Sequence, residues 1–543
     1  MAAVVFGLVA FGATSSSANV GIRTGNFYIG YTDAIATGGL KMHIERVYNA
    51  KATFSSIFGY GWGAEFLAYI SPQDDGSLIL HEYGGGADNH FDPPSSMVRT
   101  KDDIISELIA AAETSGKLTS DDDRAKYRVY LQDHHEQVWE QDRANHLVPA
   151  VPQPAGEPFT SLRFGRERMT RTPTGFQRQI SDPDRTEDFD EVGHIVHVTD
   201  SDRNYIAYVY DDDHYLTEMR DNVGNSFTFT YTPDHHVQSI RDAHGRLATY
   251  RYQYDNNMCL LVYSKSMDGR VNRYTYNSNA DMLSATFNDK TTMQMRYDEQ
   301  DNIIYLKDRD GTITRYHYTQ QQQGDLLDDV ITVDLGPKGV TTYEYWGTSN
   351  TYRRTVETVN GATTDTSYDS SGRTLAKTTR DGTTHFSYNA QGELILRETP
   401  TDRTVWTYDS TGKVTDVTTT PLSLTASPSP STTGNTHYVY DQSGKLTRAT
   451  DGHGNDVSVT YDDNGRVLTM TNQGATVRFA YSQLGKPNVL TLDGVGVVTI
   501  TYDANGNFSR SSSPGGETVI TKVTTMIRTV LDVVRPSGVT FNF

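Results

Sequence analysis

The chain has almost no cysteine. With Cys259 as its single copy in 543 residues, no internal disulfide can form, and stability has to come from non-covalent packing in any compartment. No run of lysine or arginine is long enough to make a basic stripe, and 48 basic against 68 acidic residues leave a formal charge of −20. That balance argues against nucleic acid and against an anionic membrane surface as partners. Past its beginning, no segment reaches the roughly 20 apolar residues of a membrane span. Also missing are Gly-x-Ser-x-Gly, a phosphate-binding loop and any Cys–His arrangement. Apolar residues amount to only 36%, too few for thick helical layers. A chain several times longer than one ordinary core must divide into domains or grow by repetition.

What the sequence has in quantity is tyrosine, 34 copies, and glycine, 45 copies, and they recur together. Tyr461-Asp-Asp-Asn-Gly-Arg-Val matches Tyr408-Asp-Ser-Thr-Gly-Lys-Val and Tyr440-Asp-Gln-Ser-Gly-Lys-Leu. Degenerate copies put anchors at Tyr210, Tyr231, Tyr254, Tyr276, Tyr297, Tyr318, Tyr345, Tyr368, Tyr388, Tyr408, Tyr440, Tyr461, Tyr481 and Tyr502, mostly 20 to 23 residues apart, with Phe189 as a forerunner. Before each anchor the chain alternates, as in Phe227, Phe229, Tyr231 or Val457, Val459, Tyr461. A period of two buries one face of a pleated strand and wets the other. After the anchor, Asp caps a turn and a glycine supplies the positive φ of a tight hairpin: Gly372, Gly392, Gly412, Gly444, Gly465, Gly485 and Gly506. Each unit is therefore two strands and two turns. Fourteen units predict roughly 28 antiparallel strands, a ribbon on the order of 130 Å long that twists too strongly to stay flat. The fold class is mainly β: a long antiparallel repeat sheet wound into a spiral or partial shell, with a small helical insertion.

These residues resemble the YD-repeat or RHS-repeat family, over about 189–510 through the repeats and at the front through Thr24-Gly-Asn-Phe-Tyr-Ile-Gly-Tyr, Arg46-Val-Tyr-Asn and Phe58-Gly-Tyr-Gly-Trp-Gly, which look like the β-rich module that often precedes such repeats. The resemblance implies a sheet wound into a hollow cocoon. It departs from toxin-bearing members in lacking an Asp-Pro-x-Gly-Leu type core segment, so neither autoproteolysis nor toxin cargo is carried over.

The predicted organisation is a signal peptide over 1–18, an RHS-associated β module over 19–95, a helical insertion over 96–150, a linker and lead-in strands over 151–188, repeats over 189–510, and a strand segment over 511–543. In the insertion, Ile104, Ile105, Leu108, Ile109 and Ala112 predict one amphipathic helix, and Ser120 or Asp121 caps a second that holds Tyr127 and Leu131 on one side. A docked helical pair would cap one end of the sheet. Val519 to Val534 reads as an apolar strand.

Candidate chemistry is sparse. Adjacent His134 and His135 diverge by about 100° on a helix, which defeats a shared metal. The acidic clusters around Asp121, Asp182 and Asp211 fit no complete calcium loop and read as turn caps. Cys259, in an apolar strand, reads as a buried filler. No catalytic residue, metal or cofactor is assigned. The expected function is that of an exported, non-catalytic structural protein, periplasmic, cell-surface or secreted, whose β shell or scaffold binds a protein or a glycan at the cell envelope; sheet tyrosines can stack on sugars. Two alternatives stand beside it: a shell component around a separately encoded effector, and, more weakly, a carbohydrate-active enzyme.

Overall fold

The computed structural model describes residues 17–36, 38–148, 156–161, 167–181, 184–323, 326–347, 352–422, 434–482, 485–502 and 508–541. Residues 1–16 of the expected export segment, residues 151–155, 162–166 and 182–183 of the 151–188 linker, and the Gly506 turn lie outside the described residues, whereas Ser17 and Ala18 begin the strand Ser17–Gly21.

Thirty-three strands pair in strict sequence order, from Pro158–Thr160 to Phe508–Ser512. The local reason is repeated at each unit. In Asp456–Tyr461 the inward Val457 and Val459 are buried while Ser458 and Thr460 alternate outward. The strand then meets the Asp462 turn, in which the Asp462 carboxylate accepts from the backbone N–H groups of Asn464 and Arg466, and Gly465 adopts φ 85°. The chain returns as Val467–Asn472. At nearly every anchor the register slips by one residue, as between Thr460 and Tyr461 or Ser387 and Tyr388. A bulge of this kind re-aims the anchor side chain and strengthens the local twist.

The chain forms two compact units, Met1–Gly63 with Thr199–Phe543, and Ala64–Val198. The second unit contains a three-stranded sheet, the first strands of the long sheet and two helices, Lys101–Thr114 and Asp121–Ala144. Thr100 and Asp103 form a capping box on the first helix and Ser120 caps the second. Ile104, Ile105, Leu108, Leu131 and Trp139 pack between them. In the same unit, Arg178 is buried among Glu82, Glu167 and Glu187, its guanidinium 2.7–3.1 Å from their oxygens.

One element is corrected. Gly516–Val534 is a 19-residue helix, not a strand. Its abundance of valine, isoleucine and threonine carries high β propensity, but Val519, Val523, Ile527, Val530 and Val534 recur at helical spacing and are all buried. The burial available on the sheet outweighs propensity.

Candidate functional site

The anchors make a ladder. The hydroxyl of Tyr461 donates to the carbonyl of Leu446 at 2.7 Å, that of Tyr481 to Val467 at 2.8 Å, and that of Tyr502 to Pro487 at 2.7 Å. Tyr231, Tyr276, Tyr297, Tyr318, Tyr388 and Tyr408 repeat the bond with Leu216, Leu261, Met282, Ile303, Thr374 and Leu394. In most units the acceptor lies six residues beyond the previous anchor, so each tyrosine ties its unit to the one before it. Burial pushes the phenols of Tyr461, Tyr481 and Tyr502 up, the last to about 12, which keeps them protonated donors across the physiological range. Tyr368 instead meets the Thr355 hydroxyl at 3.0 Å, and Tyr345 packs edge-on against Tyr352. Tyr254 is displaced from the ladder: it is 53% exposed, and Tyr252 donates to Val237 in its place at 2.8 Å. The slip occurs because the register shift in this strand falls between Arg251 and Tyr252. Alternation alone identifies the face but not the bulge.

The tyrosine face of the first unit is covered at two places. At one, residues 17–63 lay an aromatic surface on it. Trp62 meets Tyr274 with centroids 5.1 Å apart, Phe58 meets Tyr250 at 5.4 Å, and the Tyr48 hydroxyl bridges Ala280 O and Met282 N. Backbone bonds fix the contact, from Val237 N to Ile57 O and from Ile303 N to Gly25 O, each 2.8 Å. Beneath it Arg46 and Asp33 form a fully buried ion pair, with Tyr250 donating to Asp33 at 2.7 Å and Trp62 stacked 4.8 Å from the guanidinium. Burial works against the Arg46 charge, but the Asp33 carboxylate together with the Tyr274 and Tyr250 phenols outweighs it and raises the pKa. At the other place, the helix Gly516–Val534 covers the strands from Leu446–Asp451 onward and completes a core with Val457, Val459, Val477, Phe479, Val498 and Ile500.

Between the covers the sequence changes character. The inward pairs become Thr364 with Thr366 and Thr384 with Phe386. Among the described residues no hydrophobic side chain between Val356 and Val414 is buried.

Within this unit the sheet closes on itself. The Asp202 turn, between the strands Ile195–Asp200 and Tyr205–Tyr210, meets the turn between Asp456–Tyr461 and Val467–Asn472, which lies 23 strands further along. Lys445 Nζ is 2.8 Å from Asp202 Oδ1 and 2.8 Å from Gly465 O, and Arg203 Nη1 is 3.2 Å from Asp463 O. At about 4.8 Å per strand, one coil is roughly 110 Å around.

The histidines do not converge. His135 Nδ1 contacts Asp74 at 2.6 Å, whereas His134 contacts its own helix at Tyr130 O. Asp121 and Asp122 pair with Arg124 and Lys126, and the Asp211 carboxylate accepts from turn N–H groups. Among the described residues no group of three His, Cys, Asp or Glu side chains could hold a metal ion. No helix of the described residues is long and apolar enough to cross a membrane.

Three family models match: RHS Repeat over 368–404, Teneurin YD-shell over 421–542, and a domain of unknown function, DUF6531, over 18–89. No curated protein matches. Among solved structures, the chain is similar to one described as TcdB2-TccC3-TEV, with 12% identity and a TM-score of 0.45, covering 90% of this chain and 27% of that one. It is also similar to the Tc holotoxin pore of Photorhabdus luminescens, with 13% identity and a TM-score of 0.33, covering 90% of this chain and 26% of that one. The chain thus spans about a quarter of the length of these relatives. With its two-strand units and tyrosine ladder, the chain carries an RHS repeat over 368–404 and a segment matching the teneurin YD-shell over 421–542, and over these residues it is similar to the RHS/YD-repeat family.

Proposed function

We propose that this protein is an exported, non-catalytic scaffold whose coiled sheet presents a surface to a protein or glycan partner at the cell envelope. The observation that carries the reading is the seam at Lys445 and Asp202, which converts a ribbon into a coil. Many carboxylates of the repeats are engaged as turn caps, as at Asp441 and Asp462, or in cross-strand ion pairs, as at Asp365, Asp456 and Asp493. Negative-stain images with solution scattering test the reading. A compact coiled particle is expected, and an extended rod would overturn it.

A second reading, a shell component around a separately encoded effector, is favoured by the uncovered part of the tyrosine face near Thr366 and Phe386. Co-expression with candidate effectors tests it. A polypeptide that co-purifies and becomes protease-resistant supports encapsulation; one that stays fully digestible counts against it.

A further inference from the structure

The opposite, polar face of the sheet carries a charge anomaly. Seven consecutive strands, from Leu247–Asp255 to Ile313–Gln323, contain a single carboxylate, Asp255, at a hairpin tip. Yet the same strands place Arg251, Lys265, Arg273, Arg296, Lys307 and Arg315 on the polar face, opposite buried neighbours such as Tyr250, Ser264, Tyr274 and Met295. Among the described residues none of these six forms an ion pair. In a chain of charge −20 this is not the general pattern. Further along the sheet, Arg354 pairs with Asp365, Arg448 with Asp456 and Arg478 with Asp493, at 2.7–2.9 Å.

In place of acids, the early strands set tyrosine against arginine. Tyr263 lies between Arg251 and Arg273, at 4.9 and 5.5 Å from its ring, in register on neighbouring strands. Two units later Tyr305 lies between Arg296 and Arg315, at 5.0 and 5.9 Å. A guanidinium stacked on a ring is held in place while its N–H edges stay free for a carboxylate or another oxyanion.

We infer that this face binds a linear acidic polysaccharide, its carboxylate or sulfate groups held by the Arg–Tyr–Arg pairs. The inference rests on the scaffold reading and names its partner. Charge spacing selects the ligand. Paired arginines stand two strands apart, about 10 Å, which suits a chain that turns anionic groups toward the sheet about once per disaccharide, whereas duplex DNA carries one charge per roughly 1.7 Å of axis. Tyr263 and Tyr305, whose rings are taken up by the arginines, add hydroxyls that can bond to sugars.

The test measures binding of the whole protein to heparin and to polygalacturonate, with dextran and duplex DNA as comparisons, over a salt series. Binding to at least one acidic glycan and not to dextran is expected, with the slope of log affinity against log salt falling by about one for each arginine removed in R251Q, R273Q, R296Q and R315Q. The variant R448Q/R478Q, which removes acid-paired arginines, should leave binding unchanged. Equal loss in that control, equal or tighter binding of DNA, or no binding to either glycan by a protein that still gives a coiled particle would overturn the inference. An uncoiled particle would instead overturn the scaffold reading.

Discussion

The hydroxyl of Tyr440 donates a 2.9 Å hydrogen bond to the carbonyl of Val414, 26 residues earlier. Tyr461 makes the same bond to Leu446 across 15 residues. The difference is an insertion between the two anchors, and the bond survives it because its acceptor is defined by position in the unit, six residues past the previous anchor. Y440F and Y461F should each lower stability by about 1 kcal/mol, the usual value of one such bond with its partner carbonyl left unmet. Urea denaturation midpoints read this. At the irregular unit, Y252F should cost as much and Y254F much less; the reverse order would return the anchor to Tyr254.

The Asp462 turn predicts acid sensitivity. Burial pushes its carboxyl up, but bonds from the Arg466 side chain and backbone outweigh this and hold it below the ordinary range, and Asp369, Asp409, Asp441 and Asp451 behave alike. A carboxyl lowered in the folded state stabilises above its unfolded value, near pH 4, and that contribution is lost as pH falls through the depressed folded value. Unfolding midpoints should therefore drop steeply below about pH 4. D462N should reduce the drop, as followed by circular dichroism.

Asp281 predicts the opposite slope. Burial raises it to about 6, against a hydrogen bond from Asn277 and with Asp301 nearby adding to the rise. Its folded state binds a proton more tightly than its unfolded state, so stability should fall as pH rises through about 6. D281N should flatten the profile in that window. An unchanged profile would mean that the group titrates normally.

Arg46 and Asp33 are an all-or-none pair. R46M leaves a buried carboxylate without its cation and should cost about 3–5 kcal/mol. R46M/D33L should recover part of that loss, because both charges leave together. Thermal melts of the two variants decide it.

The helix Gly516–Val534 should be a removable cover. V530D places a charge on its fully buried face and should detach it, exposing Val457, Val477 and Val498. Increased binding of a hydrophobic dye with little loss of β signal is the expected result; loss of the whole β signal would show that the repeats need the helix to fold.

Much of this fold was legible in the sequence because each unit states its own rule locally: alternation gives the face, Asp and Gly give the turn, and the repeat distance gives the order of strands. Three things were not. The helix over Val519 was hidden by its β-branched residues, since propensity is local whereas the face that selects the helix is assembled from distant strands. The slip from Tyr254 to Tyr252 depends on a bulge that leaves no compositional mark. The Arg–Tyr–Arg pairs are absent from any single strand and exist only once register sets Arg251, Tyr263 and Arg273 side by side.

The seam where Arg203 meets a turn 23 strands further along, and Asp202 meets Lys445 of the turn 21 strands along, has a bearing on how such a chain can evolve. In an open solenoid each repeat touches only its neighbours, and copies can be gained or lost almost freely. Here, inserting or deleting one unit between residues 205 and 461 would bring a different turn beneath Asp202 and leave Lys445 facing the wrong partner. Copy number within the coil is therefore tied to these contacts. Lineages should tolerate long insertions at turns such as the one before Tyr440 more readily than a single extra hairpin within the coil.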